Sequence, residues 1–192
     1  MANQPTPGDR RIVYRGLKLD LALQPILLPN DAVAEREVVI HRGAVALLPI
    51  LDGDRVCLVE NHRFAIGETL LEVPAGSIDA GETPEETAAR ELAEETGFHA
   101  ARITRLRDWY VSPGVMTERM HLFLCEDLTP GPTAHQPDER LETVILPWQK
   151  AMALLADGTI RDSKSLIALL LYDRMRRGLG ISERGGAASA AG

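Results

Sequence analysis

The stretch that most constrains this chain runs from Gly76 to Phe98, where a helix start, a helix stop and a cluster of carboxylates are spelled out together. Thr83 offers the side-chain oxygen that an N-cap needs, and Pro84 suits the first helical position because it has no N–H to leave unpaired. Glu86 stands three residues after Thr83 and completes a capping box, while Gly97 supplies the left-handed backbone that ends a helix. The spacing therefore predicts a helix over 84–96. At about 100° per residue, Ala88, Ala89, Leu92 and Ala93 share one side and read as the packed back. Glu91, Glu94 and Glu95 fall on the other side as an acidic stripe. Like charges three and four residues apart destabilise an isolated helix by roughly 0.2–0.5 kcal/mol per pair, so the stripe is locally unfavourable. A divalent cation would reverse that sign, and carboxylates are hard oxygen ligands suited to Mg2+ or Mn2+, which bridge to phosphate oxygens. Arg90, four residues from both Glu86 and Glu94, can pair with either and orient the cluster. The plain alternative is a solvated acidic face.

Strand and helix signals are interspersed around this helix. Period-two alternation in 18–24 and in part of 36–40 predicts half-buried antiparallel strands before Gly43. The apolar runs 44–50 and 56–60 flank Asp52-Gly53, a hairpin turn signal. Further strands are expected over 70–73, 103–111, 120–125 and 142–146, and helices over 148–156 and 163–177, each closely followed by a glycine. A mixed sheet with helices on both faces follows. A chain of 192 residues that is 45% hydrophobic can bury one core, with loose ends expected over 1–10 and 179–192. The net charge of -7 offers no basic field for nucleic acid. The longest apolar run, around Leu166 to Tyr172, is too short to span a bilayer, and Cys57 and Cys125 read as buried thiols, so a cytoplasmic protein is expected.

The stretch from Gly76 resembles the Nudix box: a Gly, five residues, Glu, seven residues, then Arg-Glu-hydrophobic-any-Glu-Glu-any-Gly-hydrophobic. Gly76, Glu82, Arg90, Glu91, Leu92, Glu94, Glu95, Gly97 and Phe98 fill its fixed positions. The resemblance implies an α/β/α sandwich with a mixed sheet and metal-assisted hydrolysis of a nucleoside diphosphate linked to another group. By position, Glu91, Glu95 and the carbonyl of Ala75 would be metal ligands, with Mg2+ the expected ion and Mn2+ an alternative. Glu94 would be a further ligand or part of the network, Arg90 its organiser, and Glu82 chiefly structural.

Outside the box, Pro113 lies sixteen residues beyond Gly97, within Ser112-Pro113-Gly114-Val115-Met116-Thr117-Glu118. Together with Tyr14-Arg15-Gly16, Asn61-His62-Arg63, the run Leu70 to Gly76 and the late run from Gly158 to Leu169, this resembles the ADP-ribose pyrophosphatase subfamily. That likeness implies a Nudix domain over 43–178, a small N-terminal β-extension over 11–42 that builds a homodimer, and cleavage of ADP-ribose or a similar nucleotide-sugar to AMP and ribose 5-phosphate. By position Arg36 and Arg63 match arginines that contact substrate, with Pro113 shaping the pocket wall; a surface salt bridge is the alternative for Arg36, which stands between Glu35 and Glu37. Glu139, in an acidic loop after Leu128, is the expected general base in preference to Glu142. A GDP-mannose-type pyrophosphatase shares the box and a similar Ser-Pro-Gly loop. A nucleotide-sugar-binding sensor without catalysis is the reading from another class, disfavoured by the intact Arg90-to-Glu95 run.

Overall fold

The computed structural model describes residue 6 and residues 9–131 and 141–180. Three strands, β1 (Arg11–Arg15), β2 (Leu19–Leu27) and β3 (Val33–His41), form a separate antiparallel sheet in the order β1-β2-β3. The remaining strands build a seven-stranded mixed sheet: β4 (Ala44–Leu51), β5 (Arg55–Arg63), β6 (Glu68–Glu72), β7 (Ala75–Ser77), β8 (Phe98–Tyr110), β9 (Arg119–Pro130) and β10 (Leu141–Pro147). Its main path is β10-β5-β4-β9-β8, with β6 on β5 and β7 on β4, and β4 runs parallel to β9. The helices are α1 (Pro84–Thr96), α2 (Trp148–Ala156) and α3 (Ser163–Arg176).

Strand β4 shows why the sheet is covered on both faces. Its residues are buried from Ala44 to Ile50, and alternate side chains go to opposite sides. Ala44, Ala46, Leu48 and Ile50 join Trp148 and Ala151 of α2 and Ala168, Leu169 and Tyr172 of α3. Val45 and Leu47 join Ala88 and Leu92 of α1 with Phe123 and Cys125 of β9. This is the α/β/α sandwich. Asp52 and Gly53 both adopt positive φ, 51° and 73°, and so make the type I′ turn that joins β4 to β5. Thr83 accepts from the Glu86 N–H at 3.2 Å, Glu86 accepts from the Thr83 N–H at 2.8 Å, and Gly97 closes α1 at φ 69°.

The N-terminal sheet is tied to the segment before β9. Val39 N–H donates to Val115 O at 2.8 Å and Thr117 N–H to Val39 O at 2.9 Å, while His41 N–H donates to Thr117 Oγ1 at 3.0 Å. Val13, Tyr14, Leu19 and Val33 of this sheet are exposed. Cys57 and Cys125 are buried free thiols, and no helix among the described residues is long and apolar enough to cross a membrane.

Candidate active site

The face that α1 buries is rotated from the one expected. Thr87, Ala88, Glu91, Leu92, Glu95 and Thr96 are buried, whereas Ala89 is exposed and Ala93 is half-buried. Glu91 and Glu95 therefore belong to the packed side and only Glu94 of the three keeps substantial exposure, correcting the separation of the acidic stripe from the packed back that periodicity suggests. The reason is local. Alanine has little to gain from burial, and a carboxylate can be buried when donors meet it. Ala75 N–H donates to Glu95 Oε2 at 3.0 Å, and Glu91 Oε1 accepts from Arg90 Nη1 at 2.8 Å. Glu91 also lies against the backbone of Gly76, where an added Cβ would fall 1.9 Å from its Cδ and 2.0 Å from its Oε1. The first glycine of the motif is thus required by a close approach.

Arg90 organises the cluster, but not through Glu86, whose carboxylate is spent on the cap. Its Nε and Nη2 fork onto the two oxygens of Glu82, each at 2.9 Å, and Nη1 reaches Glu91 at 2.8 Å and Glu94 at 3.1 Å. This fork, with a hydrogen bond from Thr87, holds the Glu82 carboxyl down at about 2, and the same bond to Glu82 raises the pKa of Arg90. Cys57, on β5, is pushed up to about 12 by burial and then by the Glu95 charge.

These groups form one wall of a cavity of about 520 Å³. Ala75, Gly76, Arg90, Glu91 and Glu95 line it on the α1 side, and Asn61 and Arg63 of β5 line it with Lys164 of α3. Lys18, His41, Arg42 and Glu118 also line it, so the N-terminal sheet and the segment before β9 both contribute. Carboxylates on one wall and several cations around the rest suit a ligand that is itself a polyanion bridged by a cation. The donors on the α1 wall are hard oxygens, which fit Mg2+ or Mn2+ in kind. Among the described residues no three His, Cys, Asp or Glu groups converge as an ion cage. Arg90 lies between Glu91 and Glu94, and Glu95 is turned to the Ala75 N–H.

Of the residues singled out in the sequence, Ala75, Arg90, Glu91, Glu95 and Arg63 meet at the cavity, and Glu94 adjoins them through Arg90. Arg36 does not line it; it is exposed on β3, donating to Glu35 O at 3.0 Å. Pro113 is exposed and does not line it either, although Val111 and Glu118 on either side of it do. Glu139 lies outside the described residues, and Glu142 is exposed in β10 opposite Glu60. Lys18, Arg42 and Lys164 escaped sequence reasoning, because only tertiary folding brings their separate segments to one place. Lys164 did lie inside the late run that resembled the subfamily.

The NUDIX domain family matches residues 40–169. An ADP-ribose pyrophosphatase from Bacillus subtilis is 35% identical over 159 residues, which cover 82% of this chain and 86% of that protein. A GDP-mannose pyrophosphatase from Yersinia enterocolitica is 40% identical over 103 residues, covering 52% and 53% of the two chains. Among solved structures, one described as the crystal structure of an ADP compounds hydrolase superposes with a TM-score of 0.79 at 27% identity, over 94% of this chain and 98% of that one. With the box residues assembled on α1 and β7 and a family match over most of its length, the chain belongs to the Nudix family and is a Nudix pyrophosphohydrolase.

Proposed function

We propose that the enzyme hydrolyses the diphosphate of ADP-ribose or a similar nucleotide-sugar, giving AMP and ribose 5-phosphate from ADP-ribose. The observation that carries this reading is the pairing of Glu91, wedged on Gly76, with Glu95, anchored to Ala75, on one wall of a cavity otherwise rich in Arg and Lys. Over a comparable share of this chain, the relative named for ADP-ribose is 35% identical and one named for GDP-mannose 27%, which favours the ADP-ribose class.

Glu91, Glu95 and the Ala75 carbonyl would hold divalent cations, Mg2+ or Mn2+, with Glu94 beside them. Bound there, such an ion would supply charge neutralisation at phosphate oxygens and a lowered pKa for water. The remaining work belongs to the protein. Arg90 keeps the carboxylates oriented through its fork on Glu82. Arg63 gives the diphosphate or its sugar a planar donor set, and Pro113 shapes the loop whose Val111 and Glu118 reach the cavity. Glu139 removes the proton from water. Arg36, unused by this chain's own cavity, serves the partner's pocket in a homodimer built by the extension over 11–42.

A second reading, a GDP-mannose-type enzyme, keeps support because no Phe, Tyr or Trp lines the cavity among the described residues, and Tyr14 is exposed away from it. This chain's own lining therefore offers no aromatic platform that selects adenine. A panel of nucleotide-sugars with Mg2+, with products identified, separates the two. Release of AMP and ribose 5-phosphate from ADP-ribose at the highest kcat/KM is expected, and preferential cleavage of GDP-mannose would move the assignment to the second reading.

A further inference from the structure

One ion cluster beside the cavity is not explained by the motif. Glu72 ends β6 and is almost fully buried, at 1% side-chain exposure, yet it is a carboxylate. The β5-β6 register sets Glu72 opposite Val59, and Leu70 and Glu68 opposite Asn61 and Arg63, so Glu72, Asn61 and Arg63 share a face of the strand pair. Two cations close on the carboxylate. Arg63 Nη2 lies 2.5 Å from Oε1, and Lys164 Nζ donates to Oε2. Lys164 also donates to Asp162 Oδ1 at 2.8 Å, the oxygen that caps α3 by accepting from Ser165 N–H at 3.1 Å.

Lys164 is out of place by local rules. A cation in the first turn of a helix meets the positive end of its dipole, and a nearly buried ammonium loses hydration as well. The compensation is Glu72 and Asp162 together. Arg63 and Lys164 both line the cavity, but Arg63 keeps 39% side-chain exposure against 11% for Lys164. Although Arg63 touches Glu72 Oε1, no N–H is aligned on that oxygen as a hydrogen bond among the described residues. The guanidinium thus meets the carboxylate through Nη2 alone rather than as a bidentate fork, which leaves donors beyond that contact.

We propose that Lys164, acting through Glu72, is a positioning residue that keeps the Arg63 guanidinium at the cavity wall with donors left for the nucleotide-sugar. This rests on the reading above that Arg63 contacts that ligand. With Lys164 on Oε2, Arg63 meets only Oε1. Without Lys164, both oxygens are open to a bidentate fork, which draws the guanidinium onto Glu72 and away from the ligand. The neutral Lys164→Met variant should therefore damage affinity only through Arg63.

A double-mutant cycle of Arg63→Ala and Lys164→Met tests this, read as calorimetric binding of ADP-ribose and of GDP-mannose in EDTA and as KM and kcat with Mg2+. Each single variant should weaken binding of the preferred nucleotide-sugar and raise its KM by about tenfold, with kcat within about twofold. In the Arg63→Ala background, Lys164→Met should add less than about a twofold change. Lys164→Arg, which restores a cation on Oε2, should recover most of the loss. Circular dichroism and the thermal midpoint identify any variant that fails to fold, in which case Glu72→Gln replaces Lys164→Met in the same cycle. Wild-type affinity in folded Lys164→Met, or an equal loss with and without Arg63, would overturn the proposal. Binding of neither probe by the wild type would overturn the substrate reading along with it, an outcome distinct from an additive cycle.

Discussion

Glu91 and Glu95 are buried carboxylates kept in place by specific donors and by the absence of one side chain. Gly76→Ala would put a Cβ within 1.9 Å of Glu91, and overpacking of this kind typically costs about 1–3 kcal/mol. Urea unfolding should show that loss, and turnover should fall because Glu91 must leave its place; wild-type stability and rate together would mean that the close approach is dispensable. Glu82 makes a prediction about pH. Its carboxyl is lowered from 4.5 to about 2, chiefly by the Arg90 hydrogen bond. A depressed carboxyl contributes stability that is present above the unfolded value and disappears as pH falls through the folded one. The difference in thermal midpoint between wild type and Glu82→Gln should therefore be full above pH 4.5 and fade toward pH 2; a difference that is flat across that window would contradict the fork's role. At this scale the residue types of the site were legible in the sequence, but their facing was not. Periodicity set Ala89 and Ala93 on the packed back and Glu91 and Glu95 opposite it, and it has no means of seeing the Ala75 N–H or the Gly76 gap that make the burial of the two carboxylates possible.

Elements with local punctuation were the readable ones. The bounds of α1 and α2 agree with the structure and α3 ends one residue earlier than expected, at Arg176. Thr83, Pro84 and Gly97 for α1, and Gly178 after α3, act within a turn of the residues they constrain, while the Asp162 cap of α3 emerges only in the structure. The three-residue strand β7 was not foreseen. Ala-Gly-Ser has little strand propensity, and its conformation comes from pairing with Ala44, Val45 and Ala46 of β4. Strand β8 begins at Phe98, directly after the helix stop, because its early residues pair with β9 from Leu128 to Pro130. The general base belongs to this scale. Glu142 is fixed in β10, whereas Glu139 precedes that strand in the sequence. Glu139→Gln should lower kcat by about 10²–10⁴-fold with KM little changed, and Glu142→Gln should do much less. Rate measurements that show the reverse would transfer the role to Glu142.

For the whole molecule, the cavity is an assembly of distant segments: β7 and α1, β5, the start of α3, the inner end of the N-terminal sheet and Glu118. No window of sequence contains that arrangement, so the fold class and the acidic helix were legible while most of the cationic lining was not. The separate β1-β2-β3 sheet, with exposed Val13, Tyr14, Leu19 and Val33, has the character of a surface that a second copy covers. Light scattering at micromolar concentration should report a homodimer, and a chain lacking 1–42 should lose both dimerisation and substrate affinity; a fully active monomer would contradict that assignment. The proposed hydrolysis relies on the carboxylates of α1. In a folded Glu95→Gln variant, ADP-ribose turnover with Mg2+ should fall by about 10³-fold or more, and EDTA should abolish wild-type turnover. Near-normal rates in that variant, or undiminished rates in EDTA, would contradict metal-assisted hydrolysis at this site.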